Sequence, residues 1–143
     1  MAKAEICEVL PVSKEALFAA ITEYENYPKF VEGCTHVQVE KMGPGKSKVT
    51  YRVSMMKEVN YTLDMSEDFQ AGTVNWTLVS SDFFKKNNGA WKLKTVSEGK
   101  TEAHYSLEVE FNIPVPGFIL NKLVKGGLPS MLKNFERQAL KKQ

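Results

Sequence analysis

Two cysteines and two histidines in 143 residues leave little material for metal or thiol chemistry. Cys7 and Cys34 have no second Cys or His at ligand spacing, so no metal site is expected, and both are read as free, packed thiols rather than a disulfide. No stretch approaches the roughly 18 consecutive apolar residues of a membrane span. The opening MAKAEICEVLPVSKE lacks the apolar core of a signal peptide, so a cytoplasmic location is expected. A glycine loop that cradles phosphate and a nucleophile elbow are also missing. His36 and His104 fall on the polar side of their predicted strands, as do Glu58, Asp64, Glu108 and Glu110. None is placed to be a buried general base, so no catalytic residue is assigned and no cofactor is expected.

What the chain does have is alternation followed by one helical stripe. Within residues 116–142, Leu120, Leu123, Val124, Gly127, Leu128, Met131, Leu132, Phe135, Gln138 and Ala139 recur at helical steps. They predict a helix of about seven turns. Pro129, inside Gly126-Gly127-Leu128-Pro129, would cost about 3 kcal/mol in a helix interior. One kinked helix or two collinear helices is therefore expected, with the break read either as a static kink or as a hinge.

Before that helix the sequence reads as strands over residues 3–10, 35–42, 47–55, 59–65, 73–81, 89–97 and 101–112. Ser13 is an N-cap for a helix through about Tyr24, and residues 26–31 form a second short helix or turn. Residues 81–88, with Phe83 and Phe84, are read as a loop. Short turns between the later strands imply antiparallel hairpins with one wet and one dry face. The fold class is α+β, in a single domain over residues 1–143.

The dry face is rich in wide side chains: Tyr51, Met55, Tyr61, Met65, Trp76, Trp91, Tyr105 and Phe111. On pattern alone they fit a filled core under one helix; with their polar tips they also fit a pocket wall. Charge is uneven. Residues 115–143 carry six basic residues against one acidic, while the remainder carries 13 basic and 16 acidic. Such a helix suits either a solvated outer face or contact with an anionic membrane surface. The apolar segment 113–120 is either a membrane-touching lip or a buried strand-to-helix crossover.

The order strand, two helices, six strands, long helix resembles the helix-grip fold of the START/Bet v 1-like superfamily. Within it the chain is similar to the polyketide cyclase/dehydrase group, which includes coenzyme-Q-binding START proteins and the ribosome-association toxin. The residues carrying the likeness are Tyr27-Pro28-Lys29-Phe30-Val31-Glu32-Gly33-Cys34 with Val37 and Val39, then Ser81-Asp82-Phe83, Gly89-Ala90-Trp91-Lys92-Leu93, and Leu132-Lys133-Asn134-Phe135-Glu136-Arg137-Gln138-Ala139. One departure stands out: the family's loop before the Trp strand often reads Gly-Pro-Phe, and here it is Ser81-Asp82-Phe83.

The resemblance implies a curved, seven-stranded antiparallel sheet enclosing a hydrophobic cavity against the C-terminal helix. Carried onto this sequence, the sheet walls of that cavity are Tyr51, Val53, Met55, Tyr61, Leu63, Trp76, Leu78, Trp91, Leu93, Tyr105 and Leu107. The helical walls are Phe30, Leu128, Met131, Leu132 and Phe135. The implied function is binding or transport of an isoprenoid quinone or other lipid. The alternatives are a cyclase/dehydrase working through pocket shape plus Tyr51, Arg52, Tyr61 or Tyr105, and a protein that associates with the ribosome. Peripheral membrane contact through the basic helix is compatible with all three; a DNA partner is not expected.

Overall fold

Strands form where the sequence alternates. In the computed structural model, which describes residues 2–31, 33–54, 57–121 and 127–142, they are β1 Ala2–Leu10, β2 Cys34–Gly43, β3 Lys46–Ser54, β4 Glu58–Asp68, β5 Thr73–Ser81, β6 Phe84–Ser97 and β7 Lys100–Phe111. They make one curved antiparallel sheet in the order β1-β7-β6-β5-β4-β3-β2. Only β1 pairs out of sequence, lying against β7 from Ala2↔Val109 to Leu10↔Thr101. The helices are α1 Lys14–Thr22, α2 Tyr27–Phe30 after a 3-10 turn at Tyr24–Asn26, α3 Gly117–Asn121 and α4 Leu128–Leu140.

Each segment has a local cause. The Ser13 hydroxyl accepts a hydrogen bond from the Ala16 amide at 3.2 Å and starts α1, whose Ala16, Leu17, Ala20 and Ile21 turn into the core. Alternation in β3 buries Ser47, Val49, Tyr51 and Val53, and in β7 it buries Thr101, Ala103, Tyr105 and Val109. The opposite face is wet and carries ion pairs such as Lys3–Glu108 at 3.2 Å and Lys85–Glu110 at 3.7 Å. Helix α4 packs on α1, α2 and β1, with Leu128, Leu132, Phe135 and Ala139 buried along one face.

Two sequence expectations are corrected, and two open alternatives are narrowed. Of the two forms expected around Pro129, the described residues show two helices, α3 and α4: α4 begins at Leu128, so the proline sits in its first turn, where its missing N–H costs nothing. Of the break itself, Gly126 lies outside the described residues, as do Leu123 and Val124 of the apolar stripe and the basic Lys122 and Lys125. The stretch 81–88 is not a loop. The Ser81 hydroxyl accepts from the amides of Phe83 and Phe84 at 2.9 and 3.0 Å, closing a tight turn, and both phenylalanines are buried with Val59 and Val109. Cys7 is not packed; it lies on the outward side of an edge strand and is exposed, whereas Cys34 is buried, and both are free. The crossover after β7 is not buried either, since Phe118 is 76% exposed.

One irregularity shapes the interior. β5 and β6 pair only through residues 73–76 and 89–92. A register shift between Phe84 and Lys86 then moves the inward side chains of β6 from Phe84 to Asn87.

Candidate functional site

The inner face of the sheet holds an aromatic wall. Tyr51 stacks on Tyr61 at 5.2 Å, Tyr61 meets Phe84 edge-on at 5.2 Å, and Tyr105 lies 4.9 Å from Trp91 and 5.5 Å from Trp76. From the helical side, Phe135 reaches Tyr27, Phe30 and Trp91 at 5.5, 5.1 and 5.2 Å. Of the sixteen residues expected to line a cavity, all but Met55 belong to or pack against this one cluster; Met55 lies outside the described residues. Tyr51, Val53, Leu63, Trp76, Trp91, Leu93, Tyr105, Leu128, Leu132 and Phe135 are buried, while Phe30, Tyr61, Leu78, Leu107 and Met131 keep some accessible surface.

Beside this wall is a recess of about 690 Å³, within the usual range of ligand pockets. It is lined by Ala4, Ile6, Gly89 and Leu107 together with the polar Lys3, Glu5, Asn88, Ser106 and Glu108, and Leu128 and Pro129 at the start of α4 close one side. On its apolar side Ala4 contributes only a methyl. Gly89 is also required where it stands, because a Cβ there would lie 2.6 Å from the Trp76 ring and 2.3 Å from the Ser106 carbonyl oxygen. Ala4, Ile6, Gly89 and Pro129 were missed from the sequence. A lone glycine inside an alternating strand was the available signal.

Polar atoms are sparse in this interior and unevenly satisfied. The Tyr24 hydroxyl donates to Glu67 Oε2 at 2.5 Å, and the Tyr27 hydroxyl donates to the Ile21 carbonyl. The Tyr51 hydroxyl has only the Met65 sulfur, at 3.9 Å. Trp76 Nε1 donates to Asn87 Oδ1 at 3.2 Å; this fixes the amide, and Nδ2 makes no hydrogen bond among the described residues. The hydroxyls of Tyr61 and Tyr105 likewise make none. Burial pushes the pKa of Tyr27, Tyr51, Tyr61 and Tyr105 well above the ordinary phenol value. Tyr27, Tyr51 and Tyr61 are pushed further by their electrostatic neighbours, which include Tyr105 and Cys34 for all three. Tyr27, Tyr51 and Tyr61 are in ring contact in that order, Tyr105 lies between the two tryptophans, and no fully buried side-chain N or O atom among the described residues lacks a partner.

The outer face offers less. Cys7 lies opposite His104 in the β1–β7 register, and His104 Nε2 is 3.5 Å from Glu5 Oε2. Desolvation, Glu102 and Glu5 all raise the Cys7 pKa, which keeps the thiol protonated and opposes its use as a nucleophile. No group of three or more metal-ligating side chains occurs among the described residues.

A family model described as "Polyketide cyclase / dehydrase and lipid transport" matches residues 10–136. The chain belongs to this family. This family member shares its fold with a START superfamily protein from Mycobacterium smegmatis, at a TM-score of 0.85 and 16% identity over 99% of both chains. It is equally close in shape to the Zhui aromatase/cyclase from Streptomyces sp. R1128, with a TM-score of 0.85, 11% identity, and 96% and 93% of the two chains covered. These likenesses establish the helix-grip fold of the START/Bet v 1-like superfamily. Among curated proteins, the ribosome association toxin RatA of Escherichia coli K12 is 22% identical over 131 residues, covering 92% of this chain and 82% of the toxin. No helix among the described residues of this family member is long and apolar enough to cross a membrane.

Proposed function

We propose that the chain binds and carries an apolar small molecule, such as a lipid or isoprenoid quinone, between the inner face of the sheet and α4. The observation that supports this reading is the recess whose apolar side, Ala4, Ile6, Leu107 and Leu128, packs into the same cluster as the aromatic wall, with Lys3, Glu5 and Glu108 among its other lining residues. The exposed Phe118 and Ile113 of the crossover would serve contact with a donor membrane. Protein purified from its host and extracted with organic solvent is expected to release a stoichiometric apolar molecule by mass spectrometry. Leu107→Trp, which fills the recess from one wall, is expected to lower loading about tenfold, equivalent to about 1.4 kcal/mol, while thermal unfolding stays cooperative. Native protein that is empty, and that binds neither added quinone nor long-chain lipid, would end this reading.

A second reading, association with the ribosome, is favoured by the likeness to RatA over most of the chain. The exposed Lys133, Arg137 and Lys141 would supply its electrostatics. Co-sedimentation with ribosomes is then expected to weaken steeply as salt is raised. Absence of association at low salt excludes it.

A further inference from the structure

A second recess, of about 680 Å³, opens where β6 outruns its neighbour, and it too has the size of a small-molecule site. β5 begins at Thr73, opposite Lys92, while β6 continues to Ser97 with no strand on that side. The turn between β4 and β5 stands beside this free edge. The Leu93 amide ties the two together, donating to the Gly72 carbonyl at 2.7 Å. Three lysines line the gap, Lys92 and Lys94 from β6 and Lys14 from the first turn of α1.

Their charge is not answered by the protein. Among the described residues, the side chains of Lys92 and Lys94 form no ion pair and no hydrogen bond. Lys14 is half-buried, and its ammonium has the Phe69 ring at 4.9 Å but no carboxylate. Glu102 is the only acid among the described residues lining the recess, and it stands opposite Lys94 in the β6–β7 register without pairing with it. His104, opposite Lys92, has its Nε2 3.5 Å from Glu5. Three lysines against one glutamate leave a local charge of +2. The first recess differs, because there Lys3 and the neighbouring Lys86 both pair with Glu108.

Like charges held around one cavity repel, and a half-buried ammonium without a counter-ion is costly. A phosphate monoester relieves both, since it brings a charge of about −1.5 to −2 at neutral pH and three acceptor oxygens. A carboxylate brings half that charge. A nucleic-acid strand suits the site less well, because no aromatic ring lines it on which a base could stack.

We propose that this recess binds the phosphate monoester group of an organic molecule. Lys14, Lys92 and Lys94 are the counter-charges, and the Thr73 hydroxyl and the Gln70 amide are further donors. The site shares no lining residue with the recess beside the aromatic wall, so it is independent of the apolar cavity.

The test follows the amide resonances of Gly72, Leu93 and Thr95 in the whole, isotope-labelled chain while inorganic phosphate replaces chloride at constant ionic strength. Saturating shifts confined to the surroundings of the recess are expected. The double variant Lys92→Gln, Lys94→Gln should weaken binding about tenfold. The pair Lys29→Gln, Lys57→Gln, exposed lysines outside the recess, should change it less than about twofold. Shifts that do not saturate, or that the Lys92, Lys94 variant keeps in full, mean an adventitious ion only and overturn the proposal. Glycerol phosphate at the same resonances, and sedimentation with phosphatidylcholine vesicles containing phosphatidate, then identify the carrier. Binding of glycerol phosphate without vesicle binding assigns a soluble molecule; vesicle binding that the double variant loses assigns a lipid headgroup; failure of both overturns the proposal.

Discussion

Raising the pH above about 10 is expected to unfold the protein within one to two pH units, with all its phenols ionising in the same transition. The chain has five tyrosines, and the pKa of each is raised, with burial as the first cause. For Tyr24 the hydrogen bond to Glu67 adds to the shift, because a carboxylate acceptor holds the phenol proton. The folded state therefore keeps these protons to a higher pH than the unfolded chain, whose phenols titrate near 10. Their contribution to stability is complete below that pH and is lost as pH rises through and beyond it. Each group withdraws about 1.4 kcal/mol per pH unit, so five together withdraw roughly 7. Two such units withdraw about 14 kcal/mol, nearly the upper end of the about 5–15 kcal/mol that stabilises a domain. Tyrosinate absorbance and far-ultraviolet circular dichroism, followed together, should give coincident curves. Phenols that ionise one by one near pH 10 while the dichroism holds would contradict the buried cluster.

Phe135→Ala should be the most damaging truncation in α4. Phe135 is 3% exposed and touches Tyr27, Phe30 and Trp91, so it joins the C-terminal helix to α2 and to the sheet in one side chain. Loss of the ring and the void it leaves should cost about 3–5 kcal/mol, or roughly 10–15 °C in melting temperature. Phe118→Ala is the matched control. Its ring is 76% exposed, and its removal should change stability by no more than about 0.5 kcal/mol. Urea unfolding followed by Trp fluorescence checks both. A loss below about 1 kcal/mol at Phe135 would mean that α4 is not anchored through this residue.

Much of the architecture was legible because it follows two periods. β3 and β7 alternate without a fault, so their inward residues could be named before any coordinates, and the stripe of Leu128, Leu132, Phe135 and Ala139 repeats at helical steps. Legibility ended where a period broke. The shift between Phe84 and Lys86 turns both Phe84 and Asn87 inward although they are three residues apart, and an odd separation in a strand normally reads as opposite faces. The beginning of β6 therefore looked like a loop. Pro129 left two readings open for another reason: a proline means opposite things at the start and in the middle of a helix, and the stripe runs across both. At the site, hydrophobic pattern identifies walls but not vacancies. The recess has only a methyl from Ala4 on one wall, and Gly89 is needed because the Trp76 ring and the Ser106 carbonyl occupy the place of its Cβ.

The short pairing between β5 and β6 has a mechanical consequence. Four residue pairs join them, against twelve between β6 and β7, and past Trp76 and Gly89 the sheet forks into two leaves, β1-β7-β6 and β5-β4-β3-β2. Across the fork lie the Trp76–Asn87 hydrogen bond and the knot of Phe83, Phe84 and Val109. Spreading the leaves there breaks no ladder hydrogen bond, whereas lifting α4 pulls Phe135 out of three aromatic contacts. The girth of the interior is therefore set at the fork, and a bulkier guest meets less resistance from the sheet than from the helix that closes it.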